Sequence, residues 1–180
     1  MKFIKLFLSL LIVSSLFLNS CKDEDKTPDP SNTNKTNTQK LVASNWLLTK
    51  AIFNPPIVTT IGMQNFTFNE LFEIPLIEDC QKDNLIIFNA DSTMTIDNGA
   101  LKCGTEPQTA KDGNWRFISN ETQIEITNSA YFSLINANKV IIDKVVITDT
   151  EMKGETDYVF TNPLTQVETT SKINFTFTKK

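Results

Sequence analysis

Near its C-terminus the chain alternates Ile173, Phe175 and Phe177 with Asn174, Thr176 and Thr178. An apolar–polar period of two is satisfied by a strand with one buried face and one wet face, and by little else. The pattern recurs through the chain. Asn45-Trp46-Leu47-Leu48-Thr49-Lys50-Ala51-Ile52-Phe53 is rich in strand formers and stops at Asn54-Pro55-Pro56. Asn84-Leu85-Ile86-Ile87-Phe88-Asn89 turns at Ala90-Asp91-Ser92 into Thr93-Met94-Thr95-Ile96-Asp97, which predicts a hairpin. Asn114-Trp115-Arg116-Phe117-Ile118 follows Asp112-Gly113, and Gln123-Ile124-Glu125-Ile126-Thr127 follows Ser119-Asn120. Residues 131–134, 139–148, 151–160 and 168–178 complete the set. About eight or nine short strands with tight connections predict an all-β antiparallel sandwich or barrel.

One stretch departs from this rhythm. Residues 54–83 carry Phe66, Phe68, Leu71, Phe72, Ile74, Leu76 and Ile77, far too apolar for a solvated loop. They are expected to pack over one end of the barrel, with a short helix near residues 69–73, acting either as a lid over a cavity or as a plug that fills it.

The N-terminus carries an address. A basic start, an apolar run over residues 6–18 and the segment Leu18-Asn19-Ser20-Cys21 form a secretory leader whose end resembles the lipobox of bacterial lipoproteins. The run is shorter than the ~20 residues that span a bilayer. The resemblance implies removal of residues 1–20 and attachment of a diacylglycerol thioether and an N-acyl chain to Cys21. Two or more chains anchor a protein stably, where one holds it marginally. Lys22-Asp23-Glu24-Asp25 resembles an acidic surface-export signal; charges that merely keep a tether solvated are the alternative. Outer-membrane attachment facing the cell surface is the expectation, with a periplasm-facing orientation as the other choice. Residues 21–40 hold no aromatic or aliphatic side chain large enough for a core and read as a tether, with one domain over 41–180. About 19 such residues would hold the domain on the order of 25 Å from the bilayer.

Assigning Cys21 to lipid leaves Cys80 and Cys103 as a pair, expected to form a disulfide in an oxidising compartment; two buried thiols are the alternative. With no histidine in the chain, two cysteines do not assemble a usual zinc set, so no metal and no cofactor are expected. Removing Lys2 and Lys5 from 17 basic residues leaves 15 against 21 acids, a net charge near −6. That balance argues against nucleic acid and against peripheral binding to anionic lipid. The absence of histidine also removes the commonest general base, and neither a phosphate loop nor a serine elbow is present. Glu155 and Asp157 are the nearest approach to a carboxylate pair, but they read as a wet strand face. No catalytic residue is assigned and the protein is expected not to be an enzyme. Asp91-Ser92-Thr93 resembles a bacterial O-glycosylation acceptor, or is simply a capped turn.

The order Leu41…Trp46-x-Leu48, Cys80-Gln81-Lys82-Asp83-Asn84, Ile87-Phe88-Asn89, Asp91-Ser92-Thr93, Lys102-Cys103 and Gly113-Asn114-Trp115 resembles the lipocalin-like lipoproteins of Bacteroidota. Ser44 and Ser92 stand where that pattern commonly has glycine. The resemblance implies an eight-stranded up-and-down barrel whose interior either holds one small, apolar ligand or is filled by side chains. Trp46, Phe88, Trp115 and Phe117 are the side chains expected to point inward and line any cavity, with Tyr131, Tyr158, Phe175 and Phe177 further candidates. A filled barrel would instead work by its outer surface, on an envelope protein or glycan partner.

Overall fold

The computed structural model describes residues 35–180, with Leu76 and Ala137 excepted. The leader, Cys21 and the tether up to Asn34 lie outside the described residues. Helix α1, Asn37–Val42, starts earlier than the expected domain boundary at Leu41. Its reason is local. Thr36 Oγ1 accepts from Gln39 N–H and Gln39 Oε1 accepts from Thr36 N–H, a reciprocal cap, while Leu41 is fully buried.

Nine strands follow: β1 Asn45–Ile61, β2 Gln64–Glu70, β3 Leu85–Phe88, β4 Thr93–Asp97, β5 Thr109–Ile118, β6 Gln123–Thr127, β7 Lys139–Ile147, β8 Glu151–Thr161 and β9 Glu168–Lys179. Every pairing is antiparallel. β1 and β3 to β9 form a closed ring of eight, because β1 pairs with β9 from Trp46↔Lys179 to Asn54↔Lys172. β2 is a ninth strand hydrogen-bonded to the outer half of β1. Closure removes the free edges that an open sheet of this length would expose. The expected up-and-down barrel is therefore the fold.

Two local expectations are corrected. The first strand does not stop at Pro55-Pro56; β1 runs through them to Ile61. The prolines fall where the β9 ladder has ended at Asn54 and the β2 ladder resumes at Ile57, so no donor is demanded of them. Residues 131–134 are a turn, not a strand. Asp112 on β5 accepts from Ser129 Oγ and from the N–H of Ala130 and Tyr131, and the chain then coils with Ile135 N–H and Asn136 N–H donating to Phe132 O.

The meander gives the barrel two different ends. α1 closes one. Glu121, in the β5–β6 turn, accepts from Asn37 N–H at 2.8 Å and Thr38 Oγ1 at 2.5 Å, and Trp46 Nε1 donates to Leu41 O at 2.9 Å. At the other end, the mouth, lie the β2–β3 crossover, the β4–β5 and β6–β7 connections and the tips of the β1–β2 and β8–β9 hairpins. The two tips are tied: Asn162 Nδ2 donates to Thr59 Oγ1 and to Thr60 O, both at 2.8 Å.

Candidate functional site

The crossover carries short 3-10 turns at Leu71–Glu73 and Asp79–Gln81 and folds across the mouth. Its C-terminal end is stapled by the Cys80–Cys103 disulfide, which joins it to the β4–β5 connection with a Cα–Cα distance of 5.3 Å. Asp83 Oδ2 reinforces the staple by accepting from the N–H of Ala100 and Leu101. Glu78 has a carboxylate oxygen near both sulfurs, but the S–S bond withdraws the thiolates a metal would need.

Beneath the crossover a cavity of about 200 Å³ remains. Leu71, Phe72 and Ile77 of the crossover form its roof, Leu48 on β1 one wall, and Phe132 and Ile135 of the β6–β7 turn the opposite side. Phe132 is wedged into the barrel and meets Phe175 edge-on, with ring centroids 6.5 Å apart, so the turn closes the cavity from below. No lining residue is charged among those described. Gln81 and Tyr131 supply polar groups; Gln81 Oε1 is occupied by Glu78 N–H at 3.1 Å. Burial, with the Asp112 carboxylate nearby, pushes the Tyr131 phenol well above its ordinary 10.0, so it stays neutral. The volume lies between the ~150 Å³ that accepts benzene and the ~300 Å³ at the lower end of drug-sized pockets. An apolar, uncharged body of one to three rings, or a short alkyl segment, is what such a space holds.

Trp46, Phe88, Trp115 and Phe117 do not line it. They point inward as expected but lie near the α1 end: Trp46 opens β1, Phe88 ends β3, and Trp115 and Phe117 are late in β5. There they fill the core, Phe88 on Trp115 at 5.5 Å and Trp115 on Phe117 at 5.8 Å, both edge-on. Trp115 Nε1 donates to Asn89 O, which satisfies its polar atom without a ligand. The four aromatics thus pack the core near α1, and the cavity lies at the mouth. Of the further aromatic candidates, only Tyr131 borders that cavity.

A family model described as Domain of unknown function (DUF5004) matches residues 19–180. The chain belongs to this family. No curated protein and no solved structure matches it. The matched span takes in Cys21 and residues 22–34 as well as the whole DUF5004 barrel.

On the outside of the DUF5004 barrel, Glu155 is held by Lys144 and Lys172 at 3.0 and 3.3 Å, and Asp157 by Lys172 at 2.8 Å. Hydrogen bonding from Lys144 holds the Glu155 carboxyl below its usual range. Glu155 is therefore ionised, and the same ammonium bridges it to Asp157, whereas a general acid needs a raised pKa. At Asp91-Ser92-Thr93, Asp91 Oδ1 accepts from Thr93 N–H at 3.0 Å and Oγ1 at 2.7 Å, and Ser92 takes the left-handed φ of 66°. The turn reading accounts for these residues as they stand.

Proposed function

We propose that this DUF5004 protein is a non-catalytic lipoprotein of the outer membrane, tethered through acylated Cys21 and facing the cell surface, whose lipocalin-like barrel holds a small apolar ligand at its mouth. The observation that carries the ligand reading is the uncharged cavity of about 200 Å³ between Leu48, the crossover and the β6–β7 turn. Supporting it, the roof is pinned by a disulfide and the far end of the barrel is already filled, which leaves the mouth as the place where a ligand displaces water rather than side chains. Protein extracted from its own membrane is expected to carry a small-molecule adduct in native mass spectrometry, and the stripped protein to bind the neutral fluorophore 1-aminoanthracene one to one. Failure of both would refute the ligand reading.

A second reading, a surface module for a protein or glycan partner, is favoured by the hairpin tips. Met63 and Leu164, which stand at the ends of the β1–β2 and β8–β9 hairpins, are exposed, as are Val58 and Val167 beside them. Pull-down with Met63→Ser and Leu164→Ser tests it, because a tip-dependent partner would be lost.

A further inference from the structure

Among the described residues, the β7–β8 ladder stops short of the mouth, at a seam between the two strands. β6 pairs with β7 from Thr127↔Lys139 to Ile124↔Ile142, and β8 pairs with β9 from Glu151↔Thr178 to Thr161↔Glu168. Between β7 and β8, however, no registered pair lies above Asp143↔Glu155 among the described residues. The cause is a register shift between Asp143 and Val146, where Lys144 takes a left-handed φ of 52°. Such an insertion twists a strand away from its neighbour. At the shift the strands press together: a Cβ on Gly154 would collide with Ile142 Cγ2 and lie 2.9 Å from Asp143 O. Above it they part. The gap holds a cavity of about 340 Å³, lined by the inward Val140 and Thr156 together with the outward Lys139, Asp143 and Asp157. Val140 and Thr156 keep only 3% and 5% of their surface exposed, so they form the floor of this groove and the outward side chains its rim.

Ile135 forms part of the boundary of this space and of the mouth cavity alike. The two cavities are neighbours of opposite character, one uncharged and apolar, the other polar and edged by unpaired strand backbone. The charges in the seam are unequal. Lys139 reaches Glu125 at 3.7 Å and Asp157 meets Lys172 at 2.8 Å. Asp143 accepts from Gln123 Nε2 and, among the described residues, is the seam carboxylate without an ion-pair partner.

We infer that the seam is the head-group site for the ligand of the mouth cavity, and that the ligand is a single-chain amphiphile with a cationic, ammonium-type head beside Asp143. The inference rests on the mouth cavity binding an apolar body, and it adds what the other end of that body must be. An anionic head would meet Asp143, while Lys139, the lining cation among the described residues, is already drawn to Glu125. A neutral hydrocarbon would leave the seam's polar groups to water.

The test uses the full mature chain carrying Cys21→Ser, which needs no detergent. 1-Aminoanthracene is bound first and then displaced by decyltrimethylammonium or by decanoate, two probes with the same tail and opposite heads. The cation is expected to displace the dye at a concentration at least about tenfold lower, one ion pair's worth of discrimination. Asp143→Asn, which keeps an acceptor for Gln123, should bring that ratio under threefold while leaving dye affinity unchanged. Asp91→Asn, at the other end of the barrel, should leave the ratio intact and so separates local from overall charge. A wild-type ratio near one, or a ratio that survives Asp143→Asn, overturns the inference while the mouth cavity stands. Loss of dye binding in the wild type overturns the ligand reading itself.

Discussion

Glu121 occupies a left-handed turn position, φ 62°, and spends its carboxylate on the backbone and hydroxyl groups that begin α1. Hydrogen bonding from Thr38 is the main cause that holds its pKa below the ordinary 4.5. A depressed pKa contributes stability that is present above the unfolded value and lost as pH falls through the folded one. Glu121→Gln should therefore lower Tm at neutral pH by about 2–4 °C, the equivalent of a lost cap near 1 kcal/mol, and the difference from wild type should close as pH drops below 4.5. Melting curves across that range check it. Phe132 is the residue whose loss should be felt most: Phe132→Ala removes the buried wedge under the mouth cavity and is expected to cost about 3–5 kcal/mol in denaturant unfolding. Sequence reading turns Trp46, Phe88, Trp115 and Phe117 inward and leaves core and cavity lining both open for them; the structure packs them in the core. A period of two tells which face a side chain takes and is silent on its height along the barrel axis. In a barrel whose aromatics pack near α1 and whose cavity lies at the mouth, height decides which residues meet a ligand.

At the level of elements, what was legible followed from local pattern. β4, β6 and β9 alternate cleanly, β3 is a short apolar run, and all four stand where they were expected. The misread elements depend on distant partners. Pro55 and Pro56 look like a stop until β9 and β2 are seen to leave their positions undemanded, and residues 131–134 look like a strand until Asp112, on another strand, caps them into a turn. Residues 54–83 read in sequence as one cover over the barrel end with a short helix at 69–73; residues up to Glu70 are instead the end of β1 and β2, and only the β2–β3 crossover, with a 3-10 turn at Leu71–Glu73, covers the mouth. Its staple is testable. The Cys80–Cys103 bond, with a sequence separation of 23, constrains the unfolded chain by about 3 kcal/mol. The pair Cys80→Ser and Cys103→Ser should lower Tm by roughly 6–12 °C in calorimetry and weaken dye binding through a loosened roof.

At the scale of the whole molecule, address and fold are written in separate parts of the chain. The leader and Cys21 speak only through sequence, as a lipid-attachment pattern ahead of α1. Cys21→Ser should move the protein from the membrane pellet to the soluble fraction on cell fractionation, because the proposed acyl chains on Cys21 are what would hold it at the membrane. The barrel, in contrast, is specified by alternation, closure and the aromatic packing near α1, with space at the mouth and at the β7–β8 seam. That division makes one measurement decisive. 1-Aminoanthracene should bind the full mature Cys21→Ser chain with one-to-one stoichiometry, and Leu48→Trp, which fills the mouth cavity from β1, should weaken binding at least tenfold while the far-ultraviolet circular dichroism stays that of the barrel. Binding unchanged by Leu48→Trp, or absent from the unsubstituted barrel, would contradict a ligand site at the mouth.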